Sequence, residues 1–108
     1  RIIGTRAKGT VDRPMGSRHP NYPEMIYPIN YGYVDGIIGG DGKEQDVYIL
    51  GVDKALEVFE GRVVAIYHRI NDDEDKWIAV IDDKEYTDDE IMDAIWFQEQ
   101  YFRGMLIR

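Results

Sequence analysis

The sequence contains no cysteine. Thiolate nucleophiles, zinc sites built on thiolates and disulfide bonds are therefore excluded. Long apolar runs are missing as well, since no segment approaches the roughly 18 residues of a membrane span. Residues 1–4 show neither the charged nor the apolar region of a secretory signal. Together these absences predict a soluble cytoplasmic protein that does not bind membranes.

Cations are in the minority, with 13 Lys and Arg against 21 Asp and Glu and a formal net charge of -8. Nucleic-acid binding needs clustered cations to neutralise phosphates, so this balance disfavours a nucleic-acid partner. It suits a protein that concentrates carboxylates around a hard cation, although an evenly solvated acidic surface is the simpler explanation of charge alone. The 108 residues, 44% of them hydrophobic, fit one domain spanning residues 1–108.

Four β-type segments are separated by turns rich in Gly or Asp. They lie at residues 26–34, 45–50, 62–70 and 76–81, after a poorly alternating start and a loop rich in proline at 14–23. Alternation within 45–50 puts Val47 and Ile49 on one face, and Asp46, Tyr48 and Leu50 on the other. Short strands of this kind predict a small antiparallel barrel or sandwich.

The C-terminal part changes to a helical period. Thr87 and Glu90 form a T-x-x-E capping box, and Ile91, Ala94 and Ile95 follow at helical spacing. The pattern predicts a helix over 88–102, ended by Gly104. Its apolar stripe should pack against the barrel.

An acidic loop precedes the second β-type segment. Asp41 is flanked by glycines that allow a tight turn, and Asp46 stands at the start of the strand. Carboxylate oxygens and water are the ligands that Mg²⁺ prefers. A solvated hairpin turn is the alternative, and spacing alone favours it because Asp-Gly is a common turn dipeptide. The loop matches neither an EF-hand nor a phosphate-binding loop.

A second acidic cluster, N-D-D-E-D-K, occupies residues 71–76. An exposed turn between two strands is again the simpler explanation. Two acidic turns at the same end of one barrel would nevertheless flank a single cavity. Such an arrangement would be suited to a two-metal site.

The motif Y-P-I-N-Y-G-Y at 27–33, followed by D-G-K-E-Q-D-V at 41–47, resembles the family I soluble inorganic pyrophosphatases. Their pattern is roughly Y-P-x-N-Y-G-Y and then D-G-D-P-x-D-V. The segments D-R-P-M-G-S-R-H-P at 12–20 and F-Q-E-Q-Y-F at 97–102 are similar to a compact bacterial branch. The resemblance covers residues 11–103. It implies a mainly β (α+β) fold, a five-stranded OB-like barrel with a C-terminal helix, and Mg²⁺-dependent hydrolysis of pyrophosphate to two phosphates.

The resemblance also implies roles for single residues. The metal ligands would be Asp41, Asp46, Asp72 and Asp75. The phosphates would be bound by Arg13, Tyr31, Lys76 and Tyr101. The catalytic residues would be Asp41, Asp46, Glu44 and Lys43. Core packing explains Tyr31 and Tyr101 equally well without the resemblance.

Three departures from the family pattern stand out. Lys43 occupies the place of the middle Asp, which helps to activate the attacking water, and Glu44 is the candidate to replace it. The later turn of the family is spaced D-x-x-x-x-D-x-K, whereas Asp72, Asp75 and Lys76 lie closer together. Phe102 stands where the family has a Lys after the helix Tyr.

Lys43 and Phe102 favour an alternative, a catalytically weakened relative that keeps a metal or phosphate pocket. A nucleic-acid-binding OB module is a third hypothesis, which the net charge disfavours. The expected partners are pyrophosphate and phosphate, and we expect a homo-oligomer. Trp77, Trp96 and Phe97 should lie in the core or at subunit contacts.

Overall fold

The computed structural model describes residues 1–72 and 74–108. In that part of the chain the elements, in order, are β1 (Arg6–Arg13), β2 (Asn30–Ile38), β3 (Glu44–Leu50), β4 (Val58–Arg69), β5 (Asp75–Val80), α1 (Asp88–Glu99) and β6 (Gly104–Ile107). Asp73, a member of the second acidic cluster, lies outside the described residues. The four β-type segments and the helix inferred from sequence are therefore all present, with shifted ends.

Strands β1 to β5 close into a barrel. The sheet runs in the order β1-β2-β3-β5-β4, and β1 also pairs with β4 to complete the circle. Every pairing is antiparallel except that between β3 and β5, where Val47 lies opposite Trp77 in parallel register. β6 adds to the second half of β4. The predicted five-stranded OB-like barrel with a C-terminal helix is confirmed.

The barrel has two buried cores, one in its interior and one on its outer face beneath α1. The interior is filled by Ala7, Val11, Val34, Val47, Ile49, Phe59, Val63, Trp77 and Ala79. The outer core comprises Tyr27, Tyr31, Tyr48, Leu50, Ala65, Tyr67, Ile78, Val80, Ile91 and Ile95. The alternation predicted within β3 is confirmed, since Val47 and Ile49 face inward while Tyr48 and Leu50 face the helix. Asp46 shares the outward face.

The helix begins as predicted but ends earlier. The Thr87 hydroxyl accepts from the Glu90 N–H at 3.1 Å, and the Glu90 carboxylate accepts from the Thr87 N–H at 3.0 Å. α1 ends at Glu99, three residues before the predicted end, because the chain turns and enters β6. Gly104 belongs to that strand, where a Cβ would lie 2.6 Å from the His68 carbonyl oxygen. No described helix is long and apolar enough to cross a membrane.

Two residues of the Y-P-I-N-Y-G-Y motif have structural roles. Asn30 is fully buried, and its Oδ1 accepts from the backbone N–H groups of Met15 at 2.9 Å and Leu56 at 3.0 Å. These bonds tie two loops to the start of β2, which begins at Asn30 rather than at the predicted residue 26. At Gly32 a Cβ would lie 1.9 Å from the Thr10 carbonyl oxygen, so β1 and β2 can cross closely only over glycine.

Candidate active site

An open cleft of about 990 Å³ lies on the outer face of the barrel, beside the C-terminal end of α1. Its walls come from the end of β1, the loop before β2, the starts of β3 and β5, and the residues that follow the helix. Eight of the predicted site residues line it: Arg13, Tyr31, Asp41, Lys43, Glu44, Asp46, Lys76 and Tyr101. The barrel therefore gathers residues that are far apart in sequence into one site.

Three carboxylates meet in this cleft, and we call Asp41, Asp46 and Glu74 the carboxylate trio. One oxygen from each lies within 4.8 Å of the others, a spacing at which they could hold a metal ion. Asp46 is at the start of β3 and Glu74 directly precedes β5. Because β3 and β5 run parallel, the two strand starts lie side by side and bring these carboxylates together.

Asp41 reaches the trio from the exposed loop before β3. Its Oδ1 accepts from the backbone N–H of Lys43 at 2.9 Å. This bond is the largest influence that lowers the pKa of Asp41, and the Glu74 side chain and the charge of Lys76 lower it further. The carboxyl of Asp41 is therefore ionised at neutral pH and available as a ligand.

Lys76 lies beneath the trio with only 4% of its side chain exposed. Its Nζ is 2.6 Å from Asp46 Oδ2 and 3.3 Å from Glu74 Oε1. The side chain points to the outer face of β5 because its neighbour Trp77 points into the barrel. A buried cation thus partly neutralises the trio before any ligand binds.

The structure does not bring Asp72 or Asp75 beside Asp41 and Asp46. Asp75 points away, with its Oδ1 2.6 Å from His68 Nδ1 and 46% of its side chain exposed. Asp72 Oδ2 lies 3.4 Å from Arg69 Nη1. Glu74 takes the position in the cleft instead.

The spacing of the later turn carried a signal for Glu74 that the sequence reasoning missed. When the pattern D-x-x-x-x-D-x-K is anchored at Lys76, its second acidic position falls on Glu74 and its first on Arg69. The turn therefore has the family length. An acidic residue is kept at one of the two positions and replaced by a cation at the other.

Arg69 is a second residue of the cleft that sequence reasoning missed, and only 5% of its side chain is exposed. Its Nε and Nη2 each donate to a different oxygen of Glu99 at 2.8 Å, and its Nη1 donates to Glu74 Oε2 at 3.2 Å. Burial works against the charged form of Arg69, but the hydrogen bonds and charge of Glu99 outweigh it and raise its pKa. Phe102 covers the guanidinium, with its ring centroid 3.5 Å from Cζ.

A continuous chain of side-chain hydrogen bonds connects Arg13 with Arg69 below the cleft. Arg13 Nη1 donates to Tyr27 Oη at 2.5 Å, and Tyr27 Oη donates to Gln98 Oε1 at 2.8 Å. Gln98 Nε2 then donates to Tyr48 Oη at 2.7 Å. Tyr48 Oη donates to Glu99, which holds Arg69. Gln98 and Glu99 of α1 therefore position a cation at each side of the site.

The remaining predicted residues differ in burial. Tyr31 is buried, and this burial, with the nearby charge of Asp46, raises its pKa well above the usual range, so its hydroxyl stays protonated. Tyr101 is 68% exposed at the rim. Lys43 is exposed in the loop before β3, and Glu44 is the exposed first residue of β3. Asp12, a further residue that sequence reasoning missed, lines the cleft beside Arg13, and desolvation raises its pKa.

The predicted core and contact aromatics divide between the interior and the surface. Trp77 is buried inside the barrel. Phe97 is partly buried against the outer core and lines the cleft. Trp96 is 49% exposed on α1.

Comparison with known proteins identifies relatives of this arrangement. The sequence model described as inorganic pyrophosphatase matches residues 4–103. The inorganic pyrophosphatases of Corynebacterium efficiens and Corynebacterium glutamicum are each 28% identical over 90 residues, covering 77% of this chain and 57% of theirs. The chain therefore spans little more than half the length of these curated relatives.

Solved structures agree in fold. The inorganic pyrophosphatase from Neisseria gonorrhoeae superposes with a TM-score of 0.70 at 20% identity, covering 94% of this chain and 76% of that one. The enzyme from Ehrlichia chaffeensis gives a TM-score of 0.69 at 16% identity, covering 96% and 86%. At these identities the likeness establishes the shared barrel fold.

Proposed function

Because the chain belongs to the inorganic pyrophosphatase family, we propose that it hydrolyses pyrophosphate to two phosphates in an Mg²⁺-dependent reaction. The observation that carries this proposal is the carboxylate trio, whose ligand oxygens lie within 4.8 Å of one another in a cleft that also contains Arg13 and Lys76. The cleft thus combines ligands for a hard cation with cations for a polyanion.

The donors fit Mg²⁺ in chemical type. All three are carboxylate oxygens, the ligands that Mg²⁺ takes while it keeps several of its waters. Asp41, Asp46 and Glu74 are the residues that would hold the ion. Asp72 and Asp75, which the family resemblance suggested, would act at longer range through Arg69 and His68. When bound, Mg²⁺ neutralises phosphoryl oxygens and lowers the pKa of a coordinated water.

The chain's own residues would bind and orient the substrate. Arg13 offers a planar fork for two phosphoryl oxygens, whereas Lys76 offers a point charge. Tyr31 and Tyr101 would donate hydroxyl hydrogen bonds, and the raised pKa of Tyr31 keeps its donor proton in place. Glu44, the exposed first residue of β3, would accept a proton from the attacking water. Positioning and electrostatics are the main protein contributions to phosphoryl transfer.

The setting of this activity is part of the same proposal. We place the protein in the cytoplasm as a homo-oligomer with pyrophosphate and phosphate as its partners, and we expect no nucleic-acid or membrane partner. The exposed Trp96 supports a subunit contact, since large aromatic side chains are enriched at interfaces.

A phosphate-release assay with pyrophosphate and Mg²⁺ tests the activity. Asp46→Asn is the matched control because it removes one charge from the trio at constant size. We expect the parent chain to release phosphate and the variant to release it about 100-fold more slowly. Equal rates in the two proteins would contradict the enzymatic function.

A second candidate is a weakened relative that binds metal and phosphate without efficient turnover. It is favoured by two cations at positions where the family pattern has Asp, Lys43 and Arg69. Binding of Mn²⁺ and pyrophosphate with no release above the Asp46→Asn background would select this candidate. Turnover above that background would reject it.

A further inference from the structure

Two departures from the family pattern are in direct contact. Arg69 stands at the first acidic position of the later turn, and Phe102 stands where the pattern has Lys. The centroid of the Phe102 ring lies 3.5 Å from Cζ of Arg69. A cation over an aromatic ring is attracted by the ring quadrupole, most strongly when it is desolvated. Phe102 therefore stabilises the charged guanidinium of Arg69.

Arg69 is held so that its charge and position are fixed. Glu99 is fully buried and engages it through two bonds of 2.8 Å. Planar bidentate pairing of this kind defines the guanidinium orientation as well as its distance. Tyr48 donates to the same glutamate and fixes it in turn. Only Nη1 is directed toward the carboxylates of the turn.

Arg69 contacts Glu74, which is also one of the three carboxylates of the proposed metal site. Glu74 Oε2 accepts from Arg69 at 3.2 Å, while its Oε1 accepts from Lys76 at 3.3 Å. Both oxygens of this carboxylate therefore already face a buried cation. Within residues 1–72 and 74–108, the trio is the one group of three carboxylates at metal-ligand spacing. Two divalent ions beside two buried cations would be strongly disfavoured by like-charge repulsion.

We propose that Arg69 acts as a permanent cation in place of a metal ion, so that the cleft binds one divalent cation per chain, at Asp41, Asp46 and Glu74. This inference rests on the proposed function for the role of the trio. Arg69 is a positioning residue that neutralises charge through Glu74. The site would then need less metal to neutralise its substrate.

Mn²⁺ titration followed by electron paramagnetic resonance tests the count directly, in the full chain and without substrate. We expect one bound Mn²⁺ per chain, and its loss in Asp46→Asn. Two or more Mn²⁺ ions bound with affinities within tenfold of one another would overturn the inference.

A pair of variants tests the part played by Arg69. Arg69→Asp replaces the fixed cation, and Glu99→Gln is combined with it so that the buried carboxylate of Glu99 is not left without its cation. We expect this double variant to bind a second Mn²⁺ with an affinity within tenfold of the first. Arg69→Lys is the matched control, since it keeps the charge and should keep the count at one. A folded double variant that still binds one ion would show that Arg69 does not set the count.

If circular dichroism shows that the double variant does not fold, the number of Mn²⁺ ions bound by the wild-type chain alone tests the inference. The outcomes also separate this inference from the proposed function. One Mn²⁺ per chain without phosphate release would support the inference and contradict the enzymatic function. Turnover with several bound ions would do the reverse.

Discussion

The two acidic turns that meet at the cleft hold their carboxylates in different ways. The loop before β3 is exposed, and Asp41 is fixed there by the backbone N–H of Lys43. The turn between β4 and β5 presents Glu74, whose two oxygens contact the buried side chains of Arg69 and Lys76. One carboxylate is thus set by local loop geometry and the other by the core. We expect substitutions in the loop to change activity and substitutions around the turn to change folding as well.

The largest expected effect tests the core side of this comparison. Arg69→Leu leaves Glu99 buried without its partner, and loss of one member of a buried ion pair destabilises a protein by about 3–5 kcal/mol. In a chain of this size the thermal midpoint should fall by at least about 10 °C. Thermal and urea denaturation measure both quantities.

Lys43→Leu is the control for that experiment. It removes a cation of the same charge from the exposed loop, where surface substitutions change stability by about 0.5 kcal/mol or less. Similar destabilisation by the two variants would abolish the distinction between loop and core.

Metal affinity should distinguish the carboxylates within the second turn. Glu74→Gln removes a ligand of the trio and leaves Arg69 and Lys76 facing the site, so we expect the Kd for Mn²⁺ to rise about tenfold or more. Asp75→Asn changes an outward carboxylate paired with His68, and should change that Kd less than about twofold. Calorimetric titration measures both, and the opposite ranking would restore Asp75 as the ligand.

The loop can be altered toward the family pattern at little structural cost. Lys43→Asp supplies the missing carboxylate, and a positioned general base should raise the rate of phosphate release about tenfold or more. Lys43→Ala controls for loss of the positive charge alone. Equal rates in the Asp variant and the parent would indicate that Glu44 or another base already performs this step.

The smallest effect concerns the pH dependence of stability. The pKa of Asp41 is lowered in the folded state, chiefly by the Lys43 N–H, so its ionised form stabilises the fold. That contribution is present at neutral pH and is lost as pH falls through the unfolded and then the folded pKa, from about pH 5 downward. Since the side chain is exposed, Asp41→Asn should cost only a few tenths of a kcal/mol at pH 7. In urea denaturation the difference from the parent should shrink as the pH is lowered below about 5.

Sequence predicted the features that are fixed by neighbours along the chain. The Thr87 capping box, the alternation in β3 and the spacing of Asp41 and Asp46 all depend on residues within a few positions of one another. The fit of Gly32 against β1 is also contained in the family motif, although its physical cause is a contact with a distant strand. These features predicted the barrel and two of the three carboxylates that meet in the cleft.

Sequence did not predict the features that depend on tertiary contacts. The 104–107 segment becomes β6 because the edge of β4 is available to it, and its own residues give little strand signal. Glu74 points into the cleft because it lies two residues before Lys76, on the same side of the chain, and because it bonds to Arg69. Asp72 and Asp75 do not share this placement. In the sequence, Glu99 is marked only as a polar residue of a predicted helix. Its burial is explained by its pairing with Arg69, 30 positions away.

The hydrogen-bonded chain from Arg13 through Gln98 and Glu99 to Arg69 has a consequence for how this cleft can change over time. Its members satisfy one another's buried polar groups, so replacing any single one strands a neighbour without a partner. Substitutions at Arg13 and Arg69 should therefore have non-additive effects on stability, and a substitution at one of them would limit which residues are tolerated at the other. We therefore expect Arg13 and Arg69 to be kept or replaced together during evolution. Both depend on residues of α1, although neither belongs to that helix.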